Sequence, residues 1–193
     1  MKKIMFNEQY GLTQAVLEGR KTQTRRIAYQ KPFKYNCNCG FYTEGKDKGK
    51  FAINDGNEIV AKSTYKIGEV VAVAQRYSDI PFANDIFIRA VPIGWSNKMF
   101  VKSSLMPHQI KITNIRVERL QDISTDDCMK KGIFCSHIEG IDDAFSYDAT
   151  NDSFVKKWWY RTPIEAYKML CCKLHLHWGI NPLVFVYDFV LVK

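Results

Sequence analysis

Residues 17 to 26 read Leu17-Glu18-Gly19-Arg20-Lys21-Thr22-Gln23-Thr24-Arg25-Arg26. Arg20, Lys21, Arg25 and Arg26 supply cations just after a glycine, and Thr22 and Thr24 add hydroxyl donors. A guanidinium presents a planar fork to phosphate and an ammonium a compact point charge, so the chemistry of this run is anion binding. If the run is extended, Thr22, Thr24 and Arg26 share one face while Gln23 and Arg25 share the other. Lys21 lies at the turn, where its direction is free. The same pattern also suits a solvated basic edge strand, which discourages edge-to-edge pairing.

Other residues that could do chemistry are more scattered. Trp158, Trp159, Tyr160 and Arg161 could stack on bases, or could be core with a snorkelled rim. His175 and His177 flank Leu176, a spacing that suits one face of an extended segment, and imidazoles titrate near neutral pH. Gln75 and Lys102 lie at strand ends that could face a cleft. The cysteines are Cys37, Cys39, Cys128, Cys135, Cys171 and Cys172. Neither Cys37-Asn38-Cys39 nor Cys171-Cys172 with His175 and His177 fits the common zinc spacings. Free thiols, no metal and no cofactor are expected, with Cys171 on a buried helix face.

The elements that must position these residues follow from periodicity and punctuation. Strands are expected at Lys3 to Phe6, Thr22 to Ile27, Gly40 to Thr43, Phe51 to Asn54, Glu58 to Ser63, Glu69 to Gln75, Met99 to Ser103 and Leu183 to Val192. The apolar run Val70 to Ala74 reads as a strand buried on both faces. Gln109 to Ile123 contains a long strand whose phase slips at Thr113-Asn114, the mark of a bulge or bend. Helices are expected at Tyr10 to Glu18, ending at Gly19, and at Ser124 to Lys131, capped by Ser124 and ended by Gly132. A third, Pro163 to Lys173, carries Thr162 as cap and Glu165 to complete a capping box. The segment Asp142 to Trp158 reads as a loop. Residues 30–57 change character and read as an inserted loop or hairpin with the charged, glycine-bearing turn 44–50.

Strands and helices do not alternate, which indicates an α+β fold built on a mixed or antiparallel sheet. A chain of 193 residues with 46% hydrophobic content can bury a core as one domain. Twenty-eight Lys and Arg against 20 Asp and Glu give a formal charge of +8, which attracts polyanions and also keeps a surface soluble. The apolar stretch after the basic start is only Ile4, Met5 and Phe6, too short for a secretory signal. No run approaches the roughly 20 apolar residues of a membrane helix, so a cytoplasmic protein without a membrane partner is expected.

Gly19-Arg20-Lys21-Thr22-Gln23-Thr24-Arg25-Arg26 resembles the signature of ASCH domains. Further stretches resemble the same family in the same order: Tyr65 to Val71, Ser104 to Pro107, Val117 to Ser124 and Asn181 to Tyr187. The set is most similar to phage and prophage members. The resemblance implies a small PUA-like β-barrel flanked by helices, with a cleft for RNA or a nucleotide. Some relatives are acetylcytidine amidohydrolases and some are reported as ribonucleases. In the amidohydrolases a Lys, a Thr and a Glu act together; Lys21 and Thr24 match the first two. The third position falls at Lys131, where that pattern has Glu, and Ala74-Gln75 stands where phage-type relatives tend to carry Arg-Glu. The expectation is therefore an RNA- or nucleotide-binding cleft at Arg20, Lys21, Arg25, Arg26 and Lys131, with Thr24 beside them. A hydrolase acting on RNA or a modified nucleoside through Lys21 and Thr24 is the alternative, and a phage accessory protein that meets another protein is a third.

Overall fold

A computed structural model describes residues 1–31, 34, 36–80, 93–137, 145–148 and 160–192. The elements run β1 (Lys3–Ile4), α1 (Leu12–Leu17), β2 (Gln23–Tyr29), β3 (Cys37–Phe41), β4 (Phe51–Asp55), β5 (Glu58–Lys62), β6 (Val70–Val73) and β7 (Gln109–Arg119). They continue with α2 (Thr125–Lys130), β8 (Phe134–His137), β9 (Phe145–Asp148), α3 (Pro163–Lys173) and β10 (Leu183–Leu191). The fold is α+β, mostly sheet. No described helix is long and apolar enough to cross a membrane.

The main sheet has the order β1-β6-β7-β10-β2. Only β1 and β6 run parallel; the other pairs are antiparallel. The phase slip expected at Thr113-Asn114 is present: Asp188 faces Asn114 and Phe189 faces Ile112, so Thr113 is the extra residue. One face of β10 carries Phe185, Tyr187 and Phe189 into a core shared with Phe6, Tyr65, Ile112 and Ile115. Val70 is exposed, but the rest of β6 and Ala74 after it are buried on both sides, with Val71 and Val73 in that core and Ala72 and Ala74 in a second cluster with Tyr77, Val101 and Met106.

The sheet does not close into the expected barrel: among the described residues it ends in two edges, β1 and β2. β1 has two residues, too few for a ladder on both sides. An Arg26 side chain donates to the Met5 carbonyl, reaching across where a ladder would run.

Within 30–57 the hairpin alternative holds, with β3 and β4 paired antiparallel across the turn. β3, β4 and β5 form their own antiparallel sheet, and Ile53 of β4 is buried in the main core. Met99 to Ser103 is not a strand but lies in the 3-10 turns Lys98–Phe100 and Ser103–Leu105. Lys3 Nζ collects the carbonyls of Lys98, Met99 and Val101, which orients them to one ammonium instead of a ladder. Within the expected loop 142–158, Phe145–Asp148 instead pairs with Phe134–His137 as a hairpin. Trp158 and Trp159 lie outside the described residues.

Candidate functional site

The geometry begins at the end of α1. Gly19 takes φ +74° and donates its N–H to Val16 O, turning the chain; the Lys21 N–H then bonds Ala15 O at 2.8 Å. From there the chain meets the end of α2. Thr22 N–H bonds Lys130 O at 2.9 Å, and Lys21 and Lys131 pair as an isolated antiparallel bridge. Gly132 permits this approach. Its φ is +92°, and an added Cβ would sit 3.2 Å from Ala15 Cβ and 3.4 Å from Lys21 Cβ.

Two lysines are thereby buried together. Lys21 is 2% exposed and Lys131 5%. Lys21 Nζ donates to Gln23 O at 2.8 Å and to Lys131 O at 2.9 Å, and stands 5.6 Å from the Phe6 ring centre. Lys131 Nζ lies 5.5 Å from the Tyr167 ring centre. Among the described residues neither ammonium has a carboxylate within salt-bridge distance. Burial, then the charges of Lys131, Arg26 and Arg25, holds the Lys21 amine well below the ordinary lysine range. Burial, then Arg25, lowers Lys131 to about 7.

Both lysines line a cavity of about 360 Å³ in the gap between the two edges of the main sheet. Met5, Phe6 and Asn7 follow β1 on one side; Thr24 to Ile27 of β2 form the other. Tyr167 and Leu170 of α3, with Leu174 and Leu176 after it, make an apolar wall. No carboxylate of the described residues lines it. The cavity can therefore accept an anion on its cations and an apolar or aromatic group against its leucines.

Sequence-level candidates divide here. Lys21, Thr24, Arg25, Arg26 and Lys131 are brought together. Arg25 is already neutralised, since its guanidinium bonds Glu118, Gln23 and, at 2.9 Å, Asp127. Arg116 joins the same network through Asp127, Glu118 at 3.1 Å and Asp188 at 2.7 Å. Burial pushes the Asp127 carboxyl up, but hydrogen bonds from Gln23 and Arg25 with the charges of Arg116 and Arg25 together hold it below its ordinary range. Arg26 stands exposed at the mouth. Arg20 turns away to Glu18 at 2.6 Å and lines a different cleft with Thr22 and Lys130.

His175 and His177 are not on one face of an extended segment. Both take positive φ, 53° and 51°, and both are exposed, while Leu174 and Leu176 line the cavity instead. Tyr167, whose ring centre lies 5.9 Å from the Arg25 guanidinium and 5.5 Å from Lys131 Nζ, was not singled out by sequence, because nothing near it in the chain shows which cations it will face. Cys171 is buried on α3 as expected, and Cys37 and Cys39 are exposed with their sulfurs 3.9 Å apart. Comparison of the chain with protein-family models, curated proteins and solved structures finds no match.

Proposed function

We propose that this protein is a binding module that holds a nucleotide, free or within RNA, in the cavity between β1 and β2. Its phosphate would rest on Lys21, Lys131 and Arg26, with the sugar and base against Leu170, Leu174 and Leu176. The observation that carries this is the pair of buried lysines in a cavity with no carboxylate among its described lining residues. A buried ammonium without a counter-charge is costly and sheds its proton. An anionic guest supplies the missing charge. The ASCH resemblance and the +8 charge point to the same class of guest. Within this reading the open sheet corresponds to a nearly closed PUA-like barrel whose seam forms the cleft.

A hydrolase using Lys21 as base or nucleophile and Thr24 beside it is the second reading, favoured by the depressed basicity of Lys21. It ranks lower because no carboxylate among the described residues lines the cavity to relay a proton. Glu69 is tied to Lys2 at 3.0 Å, and Glu118 to Arg25 and Arg116.

Two assays separate the readings. Binding of a short RNA is expected to weaken with salt, and Arg26→Ala is expected to weaken it for all sequences and flatten the log–log salt slope by about 1. Acetylcytidine is expected to be turned over weakly or not at all. Unchanged RNA affinity in Arg26→Ala at low salt would remove the binding assignment. Robust turnover that disappears in Lys21→Ala would put catalysis first.

A further inference from the structure

The cationic cavity is blind at its lysine end. Lys21 and Lys131 pair as an isolated antiparallel bridge, and the Thr22 N–H bonds Lys130 O at 2.9 Å. Backbone thus closes the seam between the start of β2 and the end of α2. Lys21 Nζ reinforces that seam with a bond of 2.9 Å to Lys131 O. On its far side Thr22 and Lys130 line another cleft, which shares no lining residue with the cavity. The lysines are buried, whereas Arg26 is exposed. A guest therefore enters past Arg26 and stops at the lysines; it does not thread through.

The donors it would meet are largely unspent. Among the described residues Lys131 Nζ stands 5.5 Å from the Tyr167 ring centre without donating a hydrogen bond. As an ammonium, Lys21 keeps one N–H beyond its bonds to Gln23 O and Lys131 O. Arg26 spends an N–H on the Met5 carbonyl and keeps the rest of its guanidinium. These cations converge with no carboxylate in the described lining. An internal phosphodiester brings a single negative charge and a sugar on each side, both of which a blind end must house. A terminal phosphomonoester brings about 1.5 to 2 negative charges at pH 7, three unesterified oxygens and a sugar on one side only. The monoester matches both the charge and the shape. A cavity of about 360 Å³ is also near the lower end of the range for ligand pockets, roughly 300–1,000 Å³, which suits one nucleotide and not several.

Resting on the nucleotide reading of the cavity, we infer that it takes the terminal phosphomonoester of an RNA strand or of a free mononucleotide, and does not take an internal phosphodiester.

The test is isothermal titration calorimetry of the full chain with a short unlabelled oligoribonucleotide of fixed sequence, prepared 5′-phosphorylated, 3′-phosphorylated, with hydroxyls at both ends, and as a circle. One phosphorylated form is expected to bind about 10- to 150-fold tighter than the hydroxyl-ended strand, the range for hydrogen bonds to a charged group, and it identifies the end that is read. The circle is expected to bind no tighter than the hydroxyl-ended strand. Lys131→Met is expected to bring the ratio of phosphorylated to hydroxyl-ended affinity close to one; a variant that keeps the wild-type ratio overturns the assignment to this cavity. The comparison of ligand forms uses the wild type alone, so it decides even where the variant fails to fold. Equal affinity for phosphorylated and hydroxyl-ended strands, or a circle as tight as the phosphorylated strand, overturns the inference. In that case salt-sensitive binding weakened by Arg26→Ala still supports the nucleotide reading. Absence of binding by every form removes that reading along with the inference.

Discussion

Lys131 titrates near 7 instead of near 10.5, chiefly because it is buried and secondly because Arg25 is close. Between those two values the unfolded chain holds a proton on Lys131 that the folded chain has released. Stability therefore rises with pH across that window, by up to about 1.4 kcal/mol per pH unit from this group, and levels off below pH 7. The buried thiols Cys128 and Cys171, pushed up to about 12 and about 11, act with opposite sign once unfolded thiols ionise, so the clean interval is pH 7 to 8.5. Urea denaturation at those two values is expected to show a rise in the wild type that is reduced in Lys131→Met, with the variant also more stable at pH 7. Equal rises in both proteins would show that Lys131 is not buried as a cation. Arg25 has the reverse role: its side chain is fully buried between Glu118 and Asp127. Arg25→Ala leaves Glu118 and Asp127 with Arg116 as their remaining guanidinium and empties a fully buried site, and is expected to cost about 3 kcal/mol. Arg26→Ala, which gives up a single hydrogen bond to the Met5 carbonyl, is expected to cost about 1 kcal/mol. Denaturation midpoints decide the comparison, which makes Arg26 and not Arg25 the residue for binding assays.

The two helix ends set where the lysines sit. Gly132 and Gly19 both hold positive φ, but an added methyl at Gly132 meets Ala15 and Lys21, whereas at Gly19 it meets nothing within 4 Å. Alanine at either position is expected to cost about 1–2 kcal/mol of left-handed strain. Only Gly132→Ala is expected to weaken ligand binding as well, because it displaces Lys21; melting curves beside affinities separate the two. Much at this scale was readable in advance. Thr162, Pro163 and Glu165 announced α3, and their capping box forms, with Thr162 Oγ1 accepting from the Glu165 N–H at 3.2 Å. The parity slip at Thr113 announced the bulge, and of the cations after Gly19 all but Arg20 line the cavity. What escaped were non-local partners. Nothing near Arg25 in sequence reveals that β10 lies between β2 and β7 and brings Glu118 within its reach. The 3-10 turns at 98–105 replaced a strand because a distant ammonium, Lys3, claims their carbonyls. The hairpin of β8 and β9 joins segments too short and polar for their alternation to stand out.

At the scale of the molecule, an open sheet explains why a basic protein concentrates charge in one place. The edges β1 and β2 face each other without a ladder, and the space between them is where Lys21, Arg26 and Lys131 meet an apolar wall. Elsewhere many cations are spent, as Arg25 and Arg116 are, on carboxylates. A guest in the gap would join the two edges through its phosphate. Because Lys131, lowered to about 7, gives up its proton at pH 8 when the cavity is empty, an anion that enters draws a proton back from solution. The most direct measurement is isothermal titration calorimetry at pH 8 with a nucleoside 5′-monophosphate and with the same nucleoside lacking phosphate, each in two buffers of different ionisation enthalpy. The expected result is that the cavity takes the monophosphate with an uptake of up to about one proton, and that Lys131→Met reduces both the affinity and the uptake. Monophosphate binding without proton uptake and unchanged in Lys131→Met, or no gain in affinity from the phosphate at all, would contradict an anion held on these lysines.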